Sequence, residues 1–221
     1  TRILTELFLK TPDEDLSRIV LLVQGMVFPK YVGYELGVAS QMMIKAIAKS
    51  TGFNEKDVEE KFKELGDLGD VAEFCVKNRK QVSLFRRKLT VEKVFQNLRK
   101  IAMTSGQRSQ ERKLMLISEL LVSAEPEEAK YITRTILSEL RIGVAEGLIR
   151  DAIAQAFLVK PGMSKEEVEE AKKAVDYAWN ILSDFGEVAL IAKEKGLEGL
   201  KNVKPVIGRP IQPMLGVKAE S

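Results

Sequence analysis

Histidine is absent from the 221 residues, and cysteine occurs once, as Cys75. These absences exclude a Ser-His-Asp triad, a zinc site built from Cys and His, and an internal disulfide. A lone cysteine is also typical of proteins in a reducing compartment. The phosphate-binding patterns Gly-x-x-x-x-Gly-Lys-Ser/Thr and Gly-x-Gly-x-x-Gly are missing too, which excludes the common nucleotide-binding loops.

Long apolar runs are also absent. The longest aliphatic run is Ile19–Val23, far short of the ~18 residues that a membrane span needs. No signal peptide is visible, so we expect a cytoplasmic protein that does not bind membranes. Because Thr1 is not a natural first residue, we expect a further segment upstream.

Net charge is small, but its distribution is uneven. The chain has 35 Lys and Arg against 32 Asp and Glu, a balance of +3. Between Val71 and Lys113 twelve basic residues face three acidic ones, a local charge of +9. This concentration favours a negatively charged partner.

Apolar residues recur at helical spacing through most of the chain, with clear examples beginning at Val91, Leu148 and Val168. No segment alternates with a period of two. The pattern predicts an all-α fold: a single compact multi-helix domain with pseudo-duplicated helix pairs and an extended C-terminal tail.

Local signals mark helix ends. Thr11 as cap, with Pro12 in the first turn and Glu14 able to reach back, predicts one helix start, and Ser164 with Glu167 predicts another. Four glycines are expected to end helices: Gly52, Gly66, Gly106 and Gly186.

The C-terminal part lacks a helical pattern. Regular apolar spacing fades after Gly196, and three prolines then exclude a helix: Pro205, Pro210 and Pro213. We therefore expect a helical domain over residues 1–202 and an extended linker over residues 203–221.

One short pattern occurs twice. The sequence ELGVAS at Glu35–Ser40 is similar to RIGVAE at Arg141–Glu146, and a new helical pattern follows each. This repetition, 106 residues apart in the sequence, indicates a duplicated helix pair.

Glycine before a helix leaves the first N–H groups open to a ligand, and with the helix dipole these groups form an anion site. The sequence TSGQRSQERK at Thr104–Lys113 adds hydroxyl groups and cations to such a junction. Ordinary helix caps and stops explain each junction taken alone. Together with the basic stretch, the junctions predict contact with the phosphate backbone of duplex nucleic acid.

Six blocks in this order resemble the N-terminal DNA-binding domain of ATP-dependent DNA ligases, most closely the archaeal type. The blocks are ELGVASQMMIKAIA, LGDLGDVAE, LTVEKVFQNL, SGQRSQERKLMLI, AKYITRTILSELRIGVAEGLIRDAIAQAF and RPIQPMLG. In that family the chain starts upstream of the position of Thr1.

The resemblance implies a helical domain that lies against the minor groove of nicked duplex DNA and helps the parent enzyme to encircle it during replication and repair. It also implies a pseudo-two-fold arrangement of helix pairs and a monomer. The residues expected to contact DNA are Gly37, Ser105, Gly106, Ser109, Arg112, Lys113, Arg141, Gly143 and Gly147.

Catalysis is not expected from these 221 residues alone. The resemblance implies that the parent ligase uses ATP and Mg²⁺ and transfers AMP to a lysine in a Lys-x-Asp-Gly motif, which does not occur here. RPIQPMLG, residues 209–216, is similar to the stretch that leads into the nucleotidyltransferase domain.

The segment Gln81–Phe85, QVSLF, resembles a shortened sliding-clamp-binding motif, which archaeal ligases carry in this domain. The expected clamp-binding residues are Gln81, Leu84 and Phe85. Alternatively, Leu84 and Phe85 pack inside a loop. The surrounding basic residues favour an exposed loop and therefore the clamp.

Asp67 and Asp70 could be ligands of a metal ion, but two carboxylates alone bind a metal ion poorly. Helix capping after Gly66 therefore explains them better.

Two other functions remain as alternatives. One is a helical protein–protein scaffold, which equal repeat lengths would favour. The other is an enzyme of unknown type, which the absent histidines and nucleotide motifs disfavour.

Overall fold

The computed structural model describes residues 1–79, 87–140 and 144–212. Over these residues it has eleven α-helices, one 3-10 helix (η1, Lys30–Val32) and no strand, so the predicted all-α class is confirmed. The α-helices are α1 (Arg2–Lys10), α2 (Asp13–Leu22), α3 (Ser40–Thr51), α4 (Glu55–Leu65), α5 (Leu68–Lys77), α6 (Val91–Met103), α7 (Ser109–Ser123), α8 (Pro126–Ile136), α9 (Glu146–Phe157), α10 (Lys165–Leu182) and α11 (Phe185–Lys201).

The helices gather into two compact units. Unit 1 consists of Thr1–Gly33 and Gly143–Ser221, and unit 2 consists of Tyr34–Ile142. Unit 1 therefore contains α1, α2 and α9 to α11, whereas unit 2 contains α3 to α8. Among the described helices, none is long and apolar enough to cross a membrane.

In unit 2, α3 packs on α7, α5 packs on α8, and α6 packs on α7. The apolar stripe of α6 supplies Phe95, Leu98 and Ile101 to the interior, as its spacing predicted. Ile117 and Leu120 do the same from α7. This packing fixes the start of α7 beside the start of α3.

In unit 1, α11 packs on α2 and α10, and α9 packs on α1. Trp179 of α10 stacks on Phe185 of α11 with ring centroids 5.1 Å apart. Phe8 and Ile153 are fully buried in the same core.

The two predicted helix starts have different outcomes. At α10 the capping box is confirmed: Ser164 Oγ accepts from Glu167 N at 3.2 Å, and Ser164 N donates to Glu167 Oε2 at 2.6 Å. At α2 the predicted helix start is confirmed, since the helix begins at Asp13, but the predicted cap is wrong, because Pro12 and not Thr11 occupies the cap position. Thr11 instead ends α1, and its hydroxyl donates to the Leu7 carbonyl at 2.7 Å.

Gly52 and Gly66 end α3 and α4 as predicted. Gly106 lies two residues beyond Thr104, which caps the C-terminus of α6. The prediction for Gly186 is wrong, because this residue is the second of α11 and packs on α2. A Cβ there would lie 2.5 Å from Ser17 Oγ, so glycine serves close packing at this position.

Helix α11 continues across a kink at Gly196 and ends at Lys201. The described residues that follow are not helical, in agreement with the prolines. They are held to the α10–α11 junction, where Gln212 N donates to the Asn180 carbonyl at 2.8 Å and Ser183 Oγ donates to the Pro210 carbonyl at 2.7 Å. The boundary between residues 202 and 203 stays a prediction.

The first copy of the repeated pattern, residues 35–40, lies in unit 2, and the second, residues 141–146, crosses the sequence boundary between unit 2 and unit 1. The copies lead into α3 of unit 2 and α9 of unit 1, which have twelve residues each. Both helices begin after an extended alanine, Ala39 at φ −85° and Ala145 at φ −70°, with no side-chain cap. This match supports the expected duplication.

Candidate nucleic-acid interface

Two predicted DNA-contact regions of unit 2 meet at the buried side chain of Lys113. This residue belongs to α7, and its Nζ donates to the Leu36 carbonyl at 2.7 Å and to the Gly37 carbonyl at 3.4 Å. Leu36 and Gly37 lie in the pre-α3 loop, Glu35–Ala39. The bond therefore fixes the start of α3 beside the first turns of α7, although 77 residues separate the two partners in sequence.

Gly37 is exposed and has a φ of +56°, in the left-handed region that side chains disfavour. A Cβ added there would lie 3.3 Å from Lys113 Nζ, tighter than ordinary contact. Glycine is thus favoured by the backbone conformation, and a side chain there would also require Lys113 Nζ to shift slightly.

The N-terminus of α3 faces solvent without a side-chain cap and without an acidic residue in its first turn. Ser40 and Gln41, its first two residues, are exposed. Unprotected N–H groups and the positive end of the helix dipole coincide here, which is the arrangement that binds phosphate at helix starts.

The α6–α7 loop, Thr104–Arg108, exposes Ser105 and Gly106. Arg108 caps α7 in a left-handed conformation with φ +60°, and no side chain accepts from the first amides. Ser109, the first residue of α7, is half-buried, and Arg112 one turn on is exposed, with Nη2 donating to the Gln107 carbonyl at 2.8 Å. Four predicted contact residues thus share one exposed loop and helix start.

Only part of the basic stretch is available to a ligand. Lys100 and Arg108 are exposed and, among the described residues, form no direct ion pair. Lys93 instead pairs with Glu119, and Lys113 is only 8% exposed. The cations near the α6–α7 loop that remain available are therefore Lys100, Arg108 and Arg112.

Arg79 has a structural role that the sequence did not reveal. Its Nη1 donates to the Val122 carbonyl and its Nη2 donates to the Ala124 carbonyl, both at 2.7 Å. Its Nε donates to the Val76 carbonyl at 3.0 Å. The guanidinium therefore joins the C-termini of α5 and α7. No local signal predicts this link, because the carbonyls of Val122 and Ala124 lie more than forty residues away.

Asp67 caps α5, as the capping interpretation predicted: Oδ1 accepts from Asp70 N at 3.0 Å. Burial raises the pKa of Asp67, but hydrogen bonds from Asp70 N and Arg134 outweigh it and hold the pKa below the ordinary value. Asp70 pairs with Arg134 and Lys130. Within the described ranges no group of three or more potential metal ligands occurs.

The third predicted region lies in unit 1, at the start of α9. Gly147 is the second residue of α9 and is half-buried. Glu146, the first residue of α9, places a carboxylate in the first turn, so part of the positive end of this helix is neutralised by its own chain. This carboxylate also pairs with Lys30 at 2.8 Å. Arg141 and Gly143, which were predicted to contact DNA, lie outside the described residues, as do Gln81, Leu84 and Phe85 of the predicted clamp motif.

A family model described as DNA ligase N terminus matches residues 1–154. The match covers well over half of the chain, and the chain belongs to this family.

Similar proteins include archaeal DNA ligases. Over 221 residues the chain is 43% identical to the DNA ligase of Thermococcus onnurineus, covering 100% of this chain and 37% of that protein. It is 47% identical to the DNA ligase of Nanoarchaeum equitans, covering 97% of this chain and 36% of the relative. With the DNA ligase of Nitrosopumilus maritimus, identity is 40% over 100% of this chain and 36% of the relative. The chain therefore spans little more than a third of the length of these relatives.

Proposed function

We propose that this chain is the DNA-binding part of an ATP-dependent DNA ligase and binds nicked duplex DNA along the minor-groove backbone, independently of sequence. The observation that carries the proposal is the pair of uncapped, exposed helix starts of α3 and α7, which Lys113 holds together. Membership of the ligase family supports the same function.

Backbone recognition follows from the chemistry of the surface. Main-chain amides, hydroxyl groups and arginine recognise phosphate and sugar, which carry no sequence information. Arg108 and Arg112 lie at the same helix start and add positive charge. A protein of this kind binds any duplex and works as a monomer on DNA in the cytoplasm.

Catalysis belongs, in this proposal, to a part of the ligase outside these residues. ATP and Mg²⁺ serve that part, because this chain lacks the Lys-x-Asp-Gly motif that receives AMP. Incubation with radiolabelled ATP and Mg²⁺ is expected to leave the chain unlabelled. Covalent AMP on the chain would contradict the assignment.

Direct DNA binding is tested by fluorescence anisotropy with a labelled nicked duplex, an intact duplex and a single strand. We expect the duplexes to bind more tightly than the single strand, and Arg112→Ala to weaken duplex affinity several-fold. Lys63→Ala, at an exposed lysine of α4, is the control and should bind like the unaltered protein. Equal affinity for the single strand, or an unaffected Arg112→Ala, would contradict the proposal.

A second proposed partner is a sliding clamp, bound through Gln81, Leu84 and Phe85. The supporting observation is the QVSLF sequence in a basic segment. The double variant Leu84→Ala with Phe85→Ala is expected to weaken clamp binding in surface plasmon resonance while folding and DNA affinity stay near normal. Loss of the fold would support the packing alternative instead.

A further inference from the structure

Lys113 is buried beneath the candidate DNA surface, and both of its hydrogen-bond partners are neutral. It is 8% exposed, and its ammonium contacts the carbonyls of Leu36 and Gly37. Among the described residues it forms no ion pair with a carboxylate. A buried ammonium is costly unless it is both paired with an opposite charge and hydrogen-bonded. Lys113 is hydrogen-bonded only, so this position needs a reason beyond packing.

The geometry provides that reason. The carbonyls that Lys113 holds belong to the loop that runs directly into the unprotected start of α3. Lys113 itself lies one turn inside α7, whose own start carries Ser109 and the α6–α7 loop. Lys113 thus adds a direct link between two groups of free amides whose helices already pack on each other.

Arg112, the neighbouring cation, is exposed where Lys113 is buried. It precedes Lys113 but lies on the exposed side of α7, where a phosphate can reach it. Lys113 points to the interior of unit 2, toward the pre-α3 loop. Neighbouring cations on the same helix therefore have different environments.

We infer that Lys113 is a positioning residue: it makes no contact with DNA itself and holds the helix starts of α3 and α7 in one arrangement that grips consecutive phosphates. The inference rests on the proposed function and changes the expected role of Lys113 from a direct phosphate contact to a link between two contact regions.

The experiment compares Lys113→Met, which keeps most of the unbranched side chain but removes the charge, with Lys113→Arg, which keeps the charge. Arg112→Met is the matched variant for a direct ionic contact. Duplex affinity is measured at several salt concentrations by anisotropy, and hydrogen exchange of the 35–41 amides is measured on the free proteins.

For Lys113→Met we expect about tenfold weaker duplex binding with a nearly unchanged salt slope, and faster exchange of the 35–41 amides. Arg112→Met should reduce the magnitude of the slope of log affinity against log salt by about 0.9, the effect of one lost phosphate contact. Hydrogen exchange of the 35–41 amides should stay unchanged in this variant. Lys113→Arg should also weaken binding, because a guanidinium does not fit the site of the ammonium.

Three results would overturn the inference: affinity of Lys113→Met equal to that of the unaltered protein, full affinity of Lys113→Arg, or a slope loss of about 0.9 in Lys113→Met. If neither Lys113 variant folds, hydrogen exchange of the unaltered protein with and without duplex DNA tests the inference. Duplex DNA should protect the 37–41 and 105–112 amides together, and protection of one group alone overturns the inference. A protein that binds no DNA at all would refute the proposed function as well.

Discussion

Gly147 lies at the start of α9 in a position that has room for a side chain. A Cβ added there would have Arg150 Nη2 as its nearest neighbour, at 3.8 Å. Since alanine is preferred to glycine within a helix, the fold alone does not require glycine here. The proposed reason is close approach of the sugar-phosphate backbone.

Gly147→Ala is therefore expected to raise the free energy of unfolding by roughly 0.5–1 kcal/mol and at the same time to weaken duplex affinity, because the methyl group occupies the space of the DNA. Urea unfolding and anisotropy measure the two effects. Gln155→Ala, at an exposed position of α9, controls for changes in helix propensity. Unchanged DNA affinity in Gly147→Ala would remove this glycine from the interface.

Residue-scale prediction succeeded where the partner is close in sequence. Ser164 and Asp67 cap helices through amides three residues away, so the local sequence contains the whole interaction. The predicted cap at Thr11 was wrong because the Thr11 hydroxyl donates to a carbonyl of the preceding helix. Lys113 was predicted to contact DNA directly, but its side chain is only 8% exposed and donates to a loop 77 residues away, which no local pattern indicates.

Arg79 links two helices, because its guanidinium donates hydrogen bonds to three carbonyls at the C-termini of α5 and α7. Hydrogen bonds from a charged donor stabilise more than neutral ones, and their loss leaves helix-end carbonyls without partners. Arg79→Met is expected to lower the free energy of unfolding by about 2–3 kcal/mol in urea. Lys77→Met, at an exposed position of α5, should change it little. Equal stability of the two variants would show that the carbonyls find other partners.

Helices α6 and α7 are joined by Glu119, which accepts from Lys93 and, at 2.8 Å, from Asn97 Nδ2. The hydrogen bond from Lys93 holds the pKa of Glu119 below its ordinary value of 4.5, against a smaller opposing effect of burial. A carboxyl with a lowered pKa in the folded state stabilises the fold above its ordinary pKa. This contribution is lost as pH falls through the lowered value.

Glu119→Gln should therefore be less stable than the unaltered protein at neutral pH, with a difference that shrinks as pH falls below about 4.5. Chemical unfolding at a series of pH values gives the difference directly. Glu111→Gln, at an exposed position of the same helix, serves as the control. A difference for Glu119→Gln that stays constant from neutral to acid pH would contradict this role.

Element-scale prediction was strongest for the helices with a clear apolar stripe. Spacing alone located α6, α9 and α10, because each buries one face. The end of α11 was harder to locate, since the helix continues past Gly196 through a kink. The α6–α7 loop was recognised from its glycine and hydroxyl residues, but the pairing of α3 with α7 follows from packing between distant segments.

At the scale of the whole chain, the repeated pattern predicts a duplication, which stays a prediction, and it does not indicate the division into units. Unit 1 is made from both ends of the sequence, with unit 2 inserted between them. No local composition change marks such a boundary, because the core of unit 1 joins residues more than 140 positions apart, such as Phe8 and Ile153. The ligase family was visible from the order of blocks, and the family match bears it out.

The central claim is that exposed helix starts and nearby cations bind the phosphate backbone of any duplex. Its most direct test is the affinity of the chain for two duplexes of unrelated sequence, measured by anisotropy across a salt series. We expect equal affinities that fall at least about tenfold between 50 and 200 mM salt, along a straight line in logarithmic coordinates. Affinity that does not change with salt, or that differs strongly between the two sequences, would contradict the claim.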